Sequence, residues 1–595
     1  MSQLPPPQPT PLPRRVFYGT CIHSRSLTDL DYLSNALLGV DESGTIAFVE
    51  EDIAADQVEA RLRELQWPIT AVELVRLRKG EFLIPGFIDT HTHAPQYVNL
   101  SYGQQFELLD WLSNVTFPAE AEFSDPVYAR RAYEGVVEKV INSGTTTCCW
   151  YGTLHQTTKI LAAVCHRRGQ RAFVGKCNMD RNSAEYYQEE SARHSLADTE
   201  DFVSFVRSRC TSPLLASSPL SSAKRKPLSS SLVQPILTPR FAISCSDELL
   251  AGLGQMMDRD ETLPCQTHLC ENPSEIEYTK SLFPFASSYT QVYDHFRLLR
   301  PSTILAHCVH LTPPELSLIK HRNSGISHCP SSNFNLRSGT AKVAEMLDQG
   351  IKVGLGTDVS GGVSLGILSA IRAASFASKT IVFQARDSAT PSTSAPAPAP
   401  SSSSLPTGEQ EDPGEVLSPS PDAVPRPPNF FSHSGHLSVP TLFYLATLGG
   451  AQVCNLEDNV GNFQVGKEFD AVLVRTGQRE VRGEEEGGRV GAGQGEVEAE
   501  LKKALNGEWE EDKEGLFPSS SAASITPEGG KGSQAINPAL IIEPDEGIEK
   551  VFEKFLFSKA DETAGGHCLQ GDDRNISSVF VRGRCIGGAN PLTKV

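Results

Sequence analysis

Two histidines one residue apart, His91 and His93, close the stretch Ile84-Pro85-Gly86-Phe87-Ile88-Asp89-Thr90-His91-Thr92-His93. The apolar Phe82-Leu83-Ile84 and Phe87-Ile88 suit a buried strand punctuated by Pro85-Gly86. In a strand, side chains i and i+2 share a face, so both imidazoles point together, with Asp89 on that same face. Two imidazoles at the end of a buried strand can hold a divalent metal, and histidine is the commonest metal ligand. A His-x-His pair by itself is more often just two surface histidines; the remaining ligands must carry the case.

Those ligands stand at the ends of other strand-like runs. His268 closes Gln266-Thr267-His268, His307 closes Leu305-Ala306-His307, and Asp358 closes Leu355-Gly356-Thr357-Asp358. Three histidines and a carboxylate suit Zn²⁺ with water completing the sphere, or Fe²⁺ in a similar cage. A bound metal lowers the pKa of water from about 15.7 to about 7, roughly 12 kcal/mol of help in making hydroxide. Glu271 follows His268 by three residues and can move a proton beside such a water. Spacing alone leaves it either as that group or as a surface glutamate opening a helix. His307 is open to a second role as ligand of a second metal, but no lysine stands at a convincing strand end among these motifs to bridge two ions, so one metal is favoured.

The elements that must position these residues alternate. Beside the His91 strand, runs at Thr145–Trp150, Arg171–Lys176, Gln234–Phe241, Cys265–Glu271, Ser302–His307, Gly325–Pro330 and Ile351–Asp358 are mostly separated by helical stretches. One helix, Thr158 to Arg168, ends on a Gly169 C-cap. Eight such units predict an α/β, TIM-like (β/α)8 barrel, whose chemistry sits at the C-terminal ends of the strands. Before it, Val16–Tyr18, Ala36–Val40, Ile46–Val49 and Val72–Val75 read as short strands, with a hairpin turn at Asp41–Gly44 and a helix from Ile53 to Gln66. After it, Pro440 to Gly450 reads as a helix with a Gly-Gly stop, and Val465–Val474 and Ile576–Arg584 as strands. The strands from both ends predict a small composite β-sandwich domain.

The expected organisation is a disordered tail over 1–13, a β-domain formed by 14–84 and 451–595, and the barrel over 85–450. Insertions near 211–230, 386–435 and 476–536, rich in Ser, Pro, Gly or Glu, carry too little apolar surface to offset the entropy of ordering. In 595 residues the formal net charge is −19, which speaks against nucleic acid or an anionic membrane as partner. Met1-Ser2-Gln3-Leu4 followed by three prolines has no apolar secretory core, and no run of about 18 apolar residues predicts a membrane span. Fourteen irregularly spaced cysteines without a CxxC pair fit free thiols in a reducing cytoplasm.

Taken together, Pro85–His93, His268-Leu269-Cys270-Glu271, His307 and Gly356-Thr357-Asp358 resemble the mononuclear deaminase branch of the amidohydrolase superfamily. The flanking text is similar to the guanine deaminases within it. It comprises His93–Tyr97, Leu108–Leu112, Thr116–Glu120, Gly169–Lys176, Thr238–Phe241, Gly356–Gly362 and Gly571–Ile576. The resemblance implies one Zn²⁺ per chain on His91, His93, His268 and Asp358, with Asp358 also helping to deprotonate the attacking water. It implies Glu271 as proton shuttle to the purine ring and His307 as the group orienting the attacking oxygen or tetrahedral intermediate. Gln96 and Arg240 would hydrogen-bond the guanine edge, with Trp111 and Phe241 lining the pocket; a homodimer is also implied. The implied activity is hydrolysis of guanine to xanthine and ammonia. Rival readings are a related hydrolase of another aminated or chlorinated heterocycle and a scaffold that has lost its metal. A third, the Cys-ligated deaminases, needs H-x-E and P-C-x-x-C, of which Pro264-Cys265-Gln266-Thr267-His268 supplies only half.

Overall fold

The structure, a computed structural model, describes residues 12–211, 231–389, 430–434, 436–476, 542, 546–558, 575–589 and 591–592. The tail over 1–13, the three expected insertions and most of Gly571–Ile576 therefore lie wholly or largely outside the described residues.

Strands β1 (Arg15–Ser24), β2 (Leu30–Val40), β3 (Ile46–Glu50), β4 (Glu73–Arg76) and β5 (Glu81–Pro85) precede the His-x-His strand β6 (Phe87–His93). There follow β7 (Thr145–Tyr151), β8 (Arg171–Gly175), β9 (Cys177–Asn178), β10 (Val233–Pro235) and β11 (Thr238–Pro239). Then come β12 (Cys265–Leu269), β13 (Thr303–His307), β14 (Gly325–His328), β15 (Lys352–Leu355), β16 (Ala471–Arg475), β17 (Ile576–Val581) and β18 (Arg584–Gly587).

The inner strands form two parallel four-stranded sheets, β10-β8-β7-β6 and β12-β13-β14-β15. Every residue of β6, β7 and β8 is buried, as parallel strands covered on both faces require. At one seam Leu237 bridges to Cys265, and Gln266 N donates to Leu237 O at 2.8 Å. At the other, Asp358 N donates to His91 O at 2.9 Å and Thr90 Oγ1 to Leu355 O at 2.9 Å. The architecture is α/β and TIM-barrel-like. The single strand expected over Gln234–Phe241 is split into β10 and β11, since Pro235 and Pro239 lack the N–H a continuous ladder needs.

Helices on the outside carry their own start and stop signals. Gly169 ends the helix Thr158–Arg168 in the left-handed conformation, φ +75°. Asn272 with Glu275, and Thr312 with Glu315, form capping boxes for Pro273–Leu282 and Pro313–Arg322. The Gly-Gly pair is not a stop. The helix Val439–Ala446 breaks at Thr447, and Gly449-Gly450 lie inside the next helix, Leu448–Val453. Their missing side chains let that helix sit on the strands: a Cβ on Gly450 would lie 2.9 Å from Ile88 Cβ.

The outer strands from the two chain ends do join, in one mixed sheet ordered β18-β17-β16-β5-β1-β2-β3, with β4 beside β1. A bulge between Gly19 and Cys21 lets β1 pair with β4 along its first half and β5 along its second. Instead of the two facing sheets of a sandwich, hydrogen bonding traces a single sheet. Phe17 and Leu38 share an apolar cluster with Phe469 and Phe580, the Phe17–Phe469 rings being stacked at 5.0 Å. Among the described residues no helix is long and apolar enough to cross a membrane.

Candidate active site

The strand ends deliver the expected residues to one place. His91 and His93 finish β6, His268 lies one residue before the end of β12, His307 is the last of β13, and Asp358 follows β15. Three turnings there use left-handed backbone at residues with side chains: Cys270 at φ +50°, His307 at +70° and Asp358 at +46°. Such conformations cost free energy and collect where a site needs a side chain aimed.

One donor atom from each of His91, His93, His268 and Asp358 lies within 4.8 Å of the others. Asp358 Oδ1 stands 3.2 Å from His91 Nε2 and 3.4 Å from His93 Nε2. His93 Nε2 faces His268 Nε2 at 3.3 Å. The His268 Nδ1–H donates to the Arg240 carbonyl at 2.5 Å, which leaves a bare lone pair on Nε2. Burial pushes the pKa values of all three imidazoles down, those of His93 and His268 far down, favouring the neutral ligand form. Burial opposes ionisation of Asp358, but the facing imidazoles, His91 foremost, outweigh it and hold its carboxyl well below the usual range. Converging lone pairs and a carboxylate, with no hydrogen-bond partner on His91 Nε2, fit a divalent cation.

Beside this cluster, His307 Nε2 is 3.4 Å from Glu271 Oε2 and 3.7 Å from Asp358 Oδ2. The His307 Nδ1–H donates to Asn333 Oδ1 at 2.9 Å, fixing the ring. Glu271 is fully enclosed and accepts from Ser338 Oγ at 3.0 Å. Burial pushes its carboxyl up to about 7, although His307 pulls the other way. Near neutral pH such a group can both take and give a proton. The structure thus places Glu271 against the cluster and not on the surface. Above it opens a cleft lined by Gln96, Trp111, Arg240 and Phe241, together with Leu108, Leu112 and Leu336.

Residues 82–398 match the amidohydrolase family. A guanine deaminase of Dictyostelium discoideum is 40% identical over 466 residues, 77% of this chain and 88% of that protein. That of Homo sapiens is 36% identical over 460 residues, covering 77% and 86%. The crystal structure of guanine deaminase from C. acetobutylicum with bound guanine in the active site superposes with a TM-score of 0.65. It is 28% identical, covering 96% of this chain and 99% of that one. The chain belongs to the amidohydrolase family, among the guanine deaminases.

Within that guanine deaminase framework, several groups that support the cleft were not assigned a part from sequence. Asp89 does not join its strand neighbours. Its carboxylate turns to accept from Thr357 Oγ1 at 2.5 Å, Thr357 N at 3.1 Å and His91 N at 3.2 Å, tying β6 to the loop that carries Asp358. Burial raises its carboxyl to about 7. Asn333 and Ser338, which steady His307 and Glu271, sit in a polar run with no period to single them out. Glu120 is buried and accepts from Arg240 Nη1 at 2.7 Å and Nη2 at 3.2 Å, from Gln96 Nε2 at 2.9 Å and from Tyr187 Oη at 2.6 Å. No spacing rule links it to partners 24 and 120 residues away.

Proposed function

We propose that this chain hydrolyses guanine to xanthine and ammonia, with one zinc ion held by His91, His93, His268 and Asp358. When bound, that ion supplies a water ionised near neutral pH. The rest is work for side chains. Gln96 and Arg240 hold the guanine edge while Trp111 and Phe241 line the slot. Asp358 helps to remove the proton of the attacking water, and Glu271 Oε2 delivers a proton to the ring nitrogen next to the amine-bearing carbon. His307 orients the attacking oxygen and the tetrahedral carbon centre that forms; the amine takes the proton held by Asp358 and departs as ammonia, while the new hydroxyl gives its proton to Glu271 as it becomes the carbonyl.

The observation that carries this reading is the convergence of four donor atoms from distant strand ends within 4.8 Å, on the wall of a cleft shared with Gln96, Arg240 and Glu271. The likeness to guanine deaminases supports the choice of substrate. Spectrophotometric rates with guanine, adenine, cytosine and a chlorotriazine test it; a faster rate with any of the last three would replace guanine in the assignment. Glu271→Gln is expected to retain zinc and lose about 10²–10⁴-fold in kcat, the usual span for general acid–base help. Near wild-type turnover in that variant would remove Glu271 from the mechanism.

The same reading takes the two parallel sheets as one closed barrel over 85–450, and 14–84 with 451–595 as a β-domain. Pairing of β16 with β5, Ala471 opposite Pro85, supports the second part. A cytoplasmic location, on the cysteine usage, and a homodimer, on family resemblance alone, complete the proposal.

A further inference from the structure

Both ends of the Gln96 carboxamide are already engaged. Its Nε2 donates to Glu120 Oε1 at 2.9 Å, and its Oε1 accepts from Ser360 N at 3.0 Å. A carboxylate can only accept and a backbone N–H can only donate. The amide therefore cannot turn over without placing its nitrogen against an N–H and its oxygen against a carboxylate. All of this is buried: Gln96 is 1% exposed and Glu120 0%, so water cannot satisfy a turned amide. Glu120 is itself fixed by the two Arg240 nitrogens and the Tyr187 hydroxyl. What remains for a ligand is one N–H on Nε2 and one lone pair on Oε1, in a set order.

We propose that Glu120 is a positioning residue that determines specificity, by locking the Gln96 amide in the one orientation that reads guanine's N1–H donor and O6 acceptor. This rests on the proposed turnover of guanine and goes beyond it, because Glu120 stands behind Gln96 and Arg240 and does not line the cleft. The matched probe is 2,6-diaminopurine. It carries the same amine on C2, but N1 is an acceptor and the C6 substituent a donor, so its edge is the reverse of guanine's. A pinned amide meets that edge donor to donor and acceptor to acceptor, and buried mismatches of this kind discriminate strongly. Glu120→Gln replaces the obligate acceptor with an amide that can also donate, which frees one of the two pins.

The test compares kcat/KM for guanine and for 2,6-diaminopurine in the zinc-loaded full chain. Wild type is expected to prefer guanine by at least about 100-fold. In Glu120→Gln that preference falls at least about tenfold, the worth of exchanging one charge-assisted hydrogen bond for a neutral one. In Glu120→Asp, which can only accept, the preference holds within about threefold, even where KM for guanine rises through the shorter reach. A merely structural loss would lower both substrates together and leave the ratio unmoved, and that result in Glu120→Gln overturns the proposal. Should Glu120→Gln not fold, wild type still decides: comparable kcat/KM for the two purines would mean that the amide is not pinned. Failure of wild type to turn over guanine at all would instead strike down the activity, a different outcome from either.

Discussion

Asp89 stands beside the four proposed metal ligands and is placed to govern their geometry without joining them. It accepts three hydrogen bonds, from Thr357 Oγ1, Thr357 N and His91 N. With them it sets both the end of β6 and the loop whose next residue is Asp358. Removing such an outer partner costs about 10–100-fold in metal affinity or activity in well-studied sites. Asp89→Ala is therefore expected to lower zinc retention after dialysis against a weak chelator and to cut guanine turnover by a similar factor. Metal analysis on the dialysed protein checks it; full retention would confine Asp89 to the fold. At this scale the sequence was legible where residue type limits the options. One such residue at a strand end says little, but four separate strands each ending in one are hard to explain otherwise, so His91, His93, His268, His307 and Asp358 could be named before any coordinates. Glu120, Asn333 and Ser338 could not. Their partners lie on other elements, and a buried glutamate paired with arginine looks, in sequence, like any surface glutamate.

Elements were legible by their punctuation, except where glycine serves packing and not turning. Gly169 ends its helix as expected, because the φ of +75° there favours a residue without Cβ. Gly449-Gly450 carries the same signal yet sits mid-helix, chosen for close approach to β6 and β15. A Cβ on Gly450 would lie 2.9 Å from Ile88 Cβ and 3.1 Å from its Cγ2, both on a strand that cannot retreat. Helix propensity favours alanine over glycine by about 1 kcal/mol, and overpacking costs about 1–3 kcal/mol; the second term wins. Gly450→Ala should thus lower the urea midpoint. Gly135, in the helix Pro126–Asn142, supplies the opposite case, since a Cβ there meets only Tyr97 at 3.6 Å. Gly135→Ala is expected to leave the midpoint unchanged or raise it. Equal shifts in the two variants would show that propensity, not contact with Ile88, controls the outcome.

At the scale of the whole molecule, the parallel sheet that holds β8 and the terminal sheet are fastened by a largely buried group of charges. Arg171, the first residue of β8, donates from Nε to Asp470 Oδ2 at 2.8 Å and from Nη2 to Glu468 Oε2 at 2.5 Å. Arg582, between β17 and β18, reaches the same Glu468 from Nε at 2.8 Å and from Nη2 at 3.1 Å. Nothing in the chain announces this, as 297 residues separate Arg171 from Glu468; apolar strand patterns at both ends foretold only that they would meet. Burial alone would raise the Glu468 carboxyl, but the two guanidiniums more than offset it and bring it down from 4.5 to about 2. The sign of the linkage follows. A carboxyl whose pKa is depressed on folding adds stability that is complete above its unfolded value and is lost as pH falls toward the folded one. Glu468→Gln cannot gain or lose that proton, and it leaves both arginines short of a counter-charge, a costly state when buried. The variant should be the less stable protein at pH 7, and its deficit should shrink as pH drops from about 4.5 toward about 2. Denaturant midpoints of the two proteins across that range measure it. A deficit constant with pH would mean that Glu468 contributes shape and hydrogen bonding, and that its charge does not hold the two sheets together.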